Sequence, residues 1–204
     1  MKNKQNKIVQ AMRNIVNHIL FNIFYRRRYD KIYFKQKEFN LFRSDSWSKV
    51  YKYSKINKMQ GTNLECRFPV SPASRVVHPE NIIFDPSDLH IFDGIGQYYQ
   101  GIGKKTIGKG TWIASNVGII TSNHTLLDLE KHDAPKDIYI RENCWIGMNS
   151  LILPGVILGD NTIVGGGSVV TKSFTQGHVV IAGNPEKLLK NYECLSMVQL
   201  FKRI

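Results

Sequence analysis

Along the second half of the chain, aliphatic residues return at every sixth position. Ile107, Ile113 and Ile119 form one run, and Ile140, Ile146, Ile152, Leu158, Val164 and Val170 form another. Residues 125–139 separate the runs, and removing them restores the phase without adjustment. The third residue after each aliphatic position is Gly110, Asn116, Ser122, Asn143, Asn149, Gly155, Asn161, Gly167 or Ser173. All are turn formers, and Gly and Asn tolerate the left-handed backbone conformation that a sharp corner uses. The fourth is Thr111, Val117, Asn123, Cys144, Ser150, Val156, Thr162, Ser168 or Phe174. These are mostly small or β-branched and are expected to share the interior with the aliphatic row. A period of six matches neither an amphipathic helix nor a two-faced strand. It predicts a short strand and a corner, repeated. Three such sides close a triangular coil, and coils stack by parallel pairing at ~4.8 Å into an all-β solenoid filled by its aliphatic rows.

The coils are expected over 89–106, 107–124, 140–157 and 158–175. The phase extends backwards through Ile95, Leu89 and Ile83, with a ragged start near residue 71. After Pro185, the residues Leu188, Leu189, Tyr192, Leu195, Met197, Leu200 and Phe201 fit one side of a helix that would cap the open end. Near the start, Ile8, Met12, Ile15, Ile19 and Ile23 make a helical stripe among Lys and Arg. The organisation expected is therefore a basic, partly helical arm over 1–70, a solenoid over 71–185 with an inserted loop at 125–139, and a C-terminal helix over 186–204.

Charge changes the picture of the arm alone. The net charge of +12 resides in residues 1–60, where fifteen Lys and Arg face only Asp30, Glu38 and Asp45, whereas the rest of the chain balances. No nucleic-acid recognition motif accompanies this charge, so no nucleic-acid partner is expected. The first thirty residues can instead pack as a helix on their own domain or trimer, or touch an anionic membrane surface. Cys66, Cys144 and Cys194 show neither pairing nor metal-ligand spacing, which suits a reducing compartment. The apolar stretch from Ile15 to Tyr25 is interrupted by Asn17, His18 and Asn22, with no small-residue cleavage site after it. No secretory leader or membrane span is expected, and a cytoplasmic location follows.

Five motifs carry a resemblance: IGKGTWIASNV at 107–117, NH at 123–124, NCWIGMNSLILPGV at 143–156, VGGGSVVTK at 164–172 and AGNPEK at 182–187. Together they resemble the hexapeptide-repeat acyltransferases, in the branch of galactoside and maltose acetyltransferases and the sugar O-acetyltransferases of capsule, O-antigen and exopolysaccharide synthesis. The resemblance implies a left-handed parallel β-helix, a homotrimer with sites in the clefts between neighbours, acetyl-CoA as co-substrate with no metal requirement, and a sugar acceptor. An alternative within the family is N-acylation of a nucleotide-linked amino sugar. Outside it stand a zinc carbonic-anhydrase-like protein, for which His124, His132 and His178 would be ligand candidates, and a non-catalytic scaffold.

Transfer from a thioester to a hydroxyl needs a base to take the acceptor's proton, and a neutral imidazole suits that task. His124, at a coil end beside the insertion, matches the family's catalytic histidine. The phase of Cys144 points it into the core, which favours direct transfer over an acyl-enzyme. The resemblance places the coenzyme's pantetheine arm beside Trp145, Gly147, Met148, Gly165 and Gly166, and its phosphates near Thr171, Lys172, Lys187 and Lys190. Corner geometry is an equally simple reason for those glycines. Lys187 and Lys190 stand where the family often has Arg, so they offer point charges rather than a bidentate fork. For the acceptor the candidates are Asp93, Gln97, Tyr98, Tyr99, Asn123 and Asp128, and Asp93, Asp128 or a backbone carbonyl could orient the imidazole. The stretch FDGIGQYYQGIGKK departs from the galactoside and maltose pattern, which points to a polymer-precursor sugar, one that could be lipid-linked.

Overall fold

The computed structural model describes residues 2–39 and 46–192. Its main body is built from three sheets that the chain visits in rotation. The first contains Arg75–Val77, Tyr98–Gln100, Gly118–Ile120, Leu151–Ile152 and Val169–Val170. The second contains Ile82–Phe84, Lys105–Ile107, Ile138–Ile140 and Ile157–Leu158. The third contains Trp112–Ile113, Trp145–Ile146, Ile163–Val164, Val179–Ala182 and Lys187–Asn191. Every pairing is parallel except that of the last strand. Because strands of successive coils stand in register, Ile113 lies over Ile146 and Ile119 over Ile152.

All nine aliphatic residues of the repeat are buried, from Ile113 at 7% exposure to several at 0%. At ~1.5–3 kcal/mol for each fully buried aliphatic side chain, this column is the main source of cohesion. Of the nine corner residues, Gly110, Asn116, Asn143, Asn149, Gly155, Asn161 and Gly167 have φ between 54° and 86°. The corners also touch one another, since Asn116 Nδ2 donates to Asn149 Oδ1 at 3.1 Å. Among the fourth-position residues, Asn123 departs from its expected interior place and is exposed, and Phe174 is half-buried.

The early phase breaks down, because Ile83 and Ile95 are 53% and 66% exposed and Leu89 lies in a 3₁₀ segment, Pro86–Phe92. The aromatic core Phe68, Phe84, Phe92 and Tyr99 fills the first coils instead, with Phe68 and Phe92 ring centres 4.6 Å apart. The expected C-terminal helix is corrected over its first residues, where Lys187–Asn191 forms an antiparallel strand against Val179–Ala182. That strand satisfies the backbone of the last sheet's edge. Residues 193–204, the rest of that helix, lie outside the described residues.

Two helices precede the solenoid, α1 (Lys2–Phe24) and α2 (Ser46–Gln60). Phe21 of α1 packs against Tyr29, Phe34 and Trp47 at ring separations of 5.8, 5.2 and 5.4 Å. Asn57 Nδ2 donates to the Val70 carbonyl at 2.9 Å, which ties α2 to the first coil. Among the described residues, no helix is long and apolar enough to cross a membrane.

Candidate active site

His124 emerges where the first sheet's Gly118–Ile120 strand gives way to the insertion. Gln100 holds that exit, since its Oε1 accepts from the Thr121 and Ser122 N–H groups at 3.1 and 3.0 Å. The inserted loop folds back on itself. Asp133 N–H donates to the Asn123 carbonyl at 2.8 Å, Thr125 N–H to the Lys131 carbonyl at 2.9 Å, and Ser122 Oγ to the Asp133 carbonyl at 2.8 Å. His124 and His132 form an antiparallel bridge, their exposed rings 4.3 Å apart. Among the described residues, no group of three His, Cys, Asp or Glu is placed to hold a metal ion.

A cavity of about 190 Å³ joins this corner to later coils, lined by Asn123, Asp133, Lys136, Leu153, Pro154 and Thr171 among others. Asn123 and Thr171, 48 positions apart in sequence, thus share one edge of the prism. Trp145 and Met148, 56% and 53% exposed, lie on the third sheet and on the corner between it and the first. Gly165 and Gly166 follow on the same corner in the next coil, where Gly167 N–H donates to the Met148 carbonyl at 2.8 Å. Trp145, Gly147, Met148, Gly165 and Gly166 therefore lie across the first sheet from His124 within one chain, whereas Thr171 shares the His124 edge.

The glycines have a packing cause. A Cβ at Gly147 would stand 2.6 Å from the Gly166 nitrogen, and one at Gly165 would stand 2.8 Å from the Ala182 Cβ. Thr171 and Lys172 meet a partner that sequence reasoning missed. Glu186 is buried, and its carboxylate accepts from the Thr171 and Lys172 N–H groups at 2.9 and 2.8 Å and from the Thr171 hydroxyl at 3.0 Å. Burial opposes its ionisation, but the hydrogen bonds from Thr171 and Lys172 outweigh that and hold the carboxyl below the usual glutamate value. With these donors engaged, the exposed side chains of Lys172, Lys187 and Lys190 are what this region offers to a phosphate.

Three acceptor candidates are corrected. Tyr99 is 0% exposed and its hydroxyl donates to the Ile91 carbonyl at 2.6 Å, so it is a core residue. Asp93 is paired with Lys49 at 2.6 Å and belongs to the groove under α2, with His90 and Trp112. Gln97 is likewise buried and donates to the Ile113 and Ala114 carbonyls. Tyr98 and Asn123 remain exposed. Asp128 is engaged within the loop by Lys131 at 2.8 Å, and the bonds from Lys131 and the Glu130 N–H lower its pKa. Cys144 is 1% exposed and burial pushes its thiol up to about 11, the opposite of an activated nucleophile.

Sequence reasoning also missed Lys105, which is 0% exposed inside the second coil. Two signals were open to it: Lys105 precedes Ile107 by two on a strand and so shares its face, and Gln100 precedes the His124 corner by one coil.

Comparison with known proteins agrees with this architecture. Residues 137–172 match the family described as bacterial transferase hexapeptide (six repeats). The repeat segment is thus similar to the bacterial hexapeptide-repeat transferases. It is 40% identical over 82 residues to a galactoside O-acetyltransferase of Lactococcus lactis, covering 39% of each chain. It is 32% identical over 123 residues to the putative lipopolysaccharide biosynthesis O-acetyl transferase WbbJ of Escherichia coli, covering 54% of this chain and 61% of that one. The chain thus spans from two fifths to three fifths of the length of these relatives. A solved maltose O-acetyltransferase from Clostridium difficile is 24% identical, with a TM-score of 0.47 over 72% of this chain and 87% of that one.

Proposed function

We propose that this chain is an acetyl-CoA-dependent O-acetyltransferase that acylates a sugar hydroxyl in the synthesis of a surface polysaccharide. Its solenoid winds left-handed and it works as a cytoplasmic homotrimer. The observation that carries the reading is the position of His124, an exposed imidazole at the end of a coil, on the same edge as Asn123 and Thr171. The likeness of the repeat to named O-acetyltransferases supports the chemistry. The separation of Trp145, Met148, Gly165 and Gly166 from His124 across one sheet supports the trimer, because a neighbouring copy can bring its Trp145–Met148 edge to this chain's His124, beside which Thr171 already stands.

In this reading the acceptor hydroxyl attacks the thioester carbonyl while His124 takes its proton. The carbon–sulfur bond then breaks, and the coenzyme thiolate leaves and is protonated from the imidazolium. Buried Cys144 takes no part, so transfer is direct. Exposed Asn123, next to His124, is the residue of this chain best placed to meet the sugar.

The test is His124→Ala, assayed with acetyl-CoA against free sugars, nucleotide sugars and nucleotide-linked amino sugars. The expected loss in kcat is roughly 10²–10⁴-fold, the usual contribution of a positioned general base, with coenzyme binding little changed. Near-normal turnover of the variant would refute the role of His124. Turnover of amino sugars alone would replace O-transfer by N-transfer.

A further inference from the structure

Helix α1 meets the rest of the protein through an unusual side. Asn14 and Phe21 are 0% exposed, and Asn17 Nδ2 donates to Ser48 Oγ on α2 at 3.0 Å. His18 packs tilted against Trp47 with ring centres 4.2 Å apart. The apolar stripe Ile8, Met12, Val16, Ile19 and Ile23 is between 52% and 66% exposed, with Val9 and Phe24 at its margins. At ~100° per residue these five side chains fall within about 80° of one another, and Asn14 and Phe21 point the opposite way. The helix therefore buries a polar and aromatic face and turns its aliphatic face outward, the reverse of an ordinary surface helix. An exposed stripe of this kind marks an interaction surface.

Charge selects the occupant. The helix α1 contains no Asp or Glu, and residues 1–60 carry fifteen Lys and Arg against three acidic residues. Exposed Arg13 stands beside the stripe and lines a groove between the helices together with Lys52 and Lys55. Exposed Arg27, Lys31 and Lys35 follow α1 closely. A second copy packed stripe to stripe would bring two such cationic arms together. An anionic surface with an apolar interior satisfies both features at once.

We propose that α1 lies along the headgroup layer of an anionic membrane, with Ile8, Met12, Val16, Ile19 and Ile23 in the acyl boundary and Arg13, Lys52 and Lys55 against lipid phosphates. The site is independent of the transferase reading, and its test needs no catalysis. Full-length protein should co-sediment at low salt with mixed phosphatidylcholine and phosphatidylglycerol vesicles, and at least about tenfold more weakly with pure phosphatidylcholine or at high salt. The double variant Met12→Asp/Ile19→Asp should weaken binding to mixed vesicles by about tenfold or more, with unchanged circular dichroism and thermal unfolding. If that pair perturbs folding, Met12→Gln/Ile19→Gln provides the same comparison without new charge. Three outcomes overturn the proposal. They are no binding to mixed vesicles, binding that neither pair weakens, and variants that alter the oligomer in sedimentation velocity while leaving vesicle binding intact, which would assign the stripe to a second copy.

Discussion

Replacing Lys105 by Met is expected to stabilise the protein, and the gain should depend on pH in a defined direction. Lys105 sits in the second sheet between Ile82 and Ile138, which stand in register with it and are 7% and 0% exposed. Its Nζ is buried and has no hydrogen-bond partner among the described residues. Burial lowers its pKa from 10.5 to about 7. At ~1.4 kcal/mol per tenfold change in proton affinity, that fall corresponds to a penalty on the order of 5 kcal/mol, an upper figure because buried sites relax.

The direction follows from proton counting. Above pH 10.5 the amine is neutral in both folded and unfolded chains, and the penalty vanishes. Between 10.5 and about 7 the unfolded chain holds a proton that the folded chain does not, so folding loses ~1.4 kcal/mol for each pH unit of fall. Below about 7 both states are protonated and the difference is constant. Lys105→Met keeps an unbranched chain of similar length and removes the titration. Its advantage over the parent should grow by roughly 2–3 kcal/mol between about pH 9.5 and pH 7.5. Urea unfolding followed by circular dichroism at one fixed chain concentration measures it. A stability difference that is flat across this range, or a variant less stable than the parent near neutral pH, would refute the reasoning.

Two further substitutions separate coenzyme chemistry from packing. Gly147→Ala puts a Cβ 2.6 Å from the Gly166 nitrogen and 2.7 Å from the Val164 carbonyl oxygen, so it should lower stability by about 1–3 kcal/mol in thermal or chemical unfolding, as overpacking does; a stable variant that merely binds coenzyme poorly would return this glycine to the coenzyme face. Lys172→Ala should raise the acetyl-CoA KM about tenfold with kcat little changed, as expected for ~1.5–3 kcal/mol of charge-assisted hydrogen bonding. Equal losses with acetyl-CoA and its dephospho form would remove Lys172 from the 3′-phosphate.

The solenoid interior and its corners were legible in the chain because both are local. An aliphatic residue at every sixth position has one place to go once strands are short, and Asn or Gly at the corner adopts positive φ at low cost wherever the coil stands. The place of His124 at the end of a coil was legible for the same reason, since the break in the repeat after residue 124 is itself visible, whereas its proposed role came from the resemblance. What the repeat leaves open is anything decided by a neighbour distant in sequence. Tyr98 and Tyr99 look alike as polar aromatics, yet strand alternation and the Ile91 carbonyl bury one and expose the other. Lys172 offered a visible charge, while the carboxylate that organises its backbone, Glu186, arrives from beyond the last coil. Leu188 and Leu189 satisfy a helical or an extended pattern, and the open edge at Val179–Ala182 selected the strand. The stripe on α1 was visible as a stripe, except that exposed Val16 takes the place of half-buried Ile15, but its outward direction was not. A helix with two packable faces turns the one that finds partners, and here Phe21 found Trp47, Tyr29 and Phe34, which left the aliphatic face to the outside.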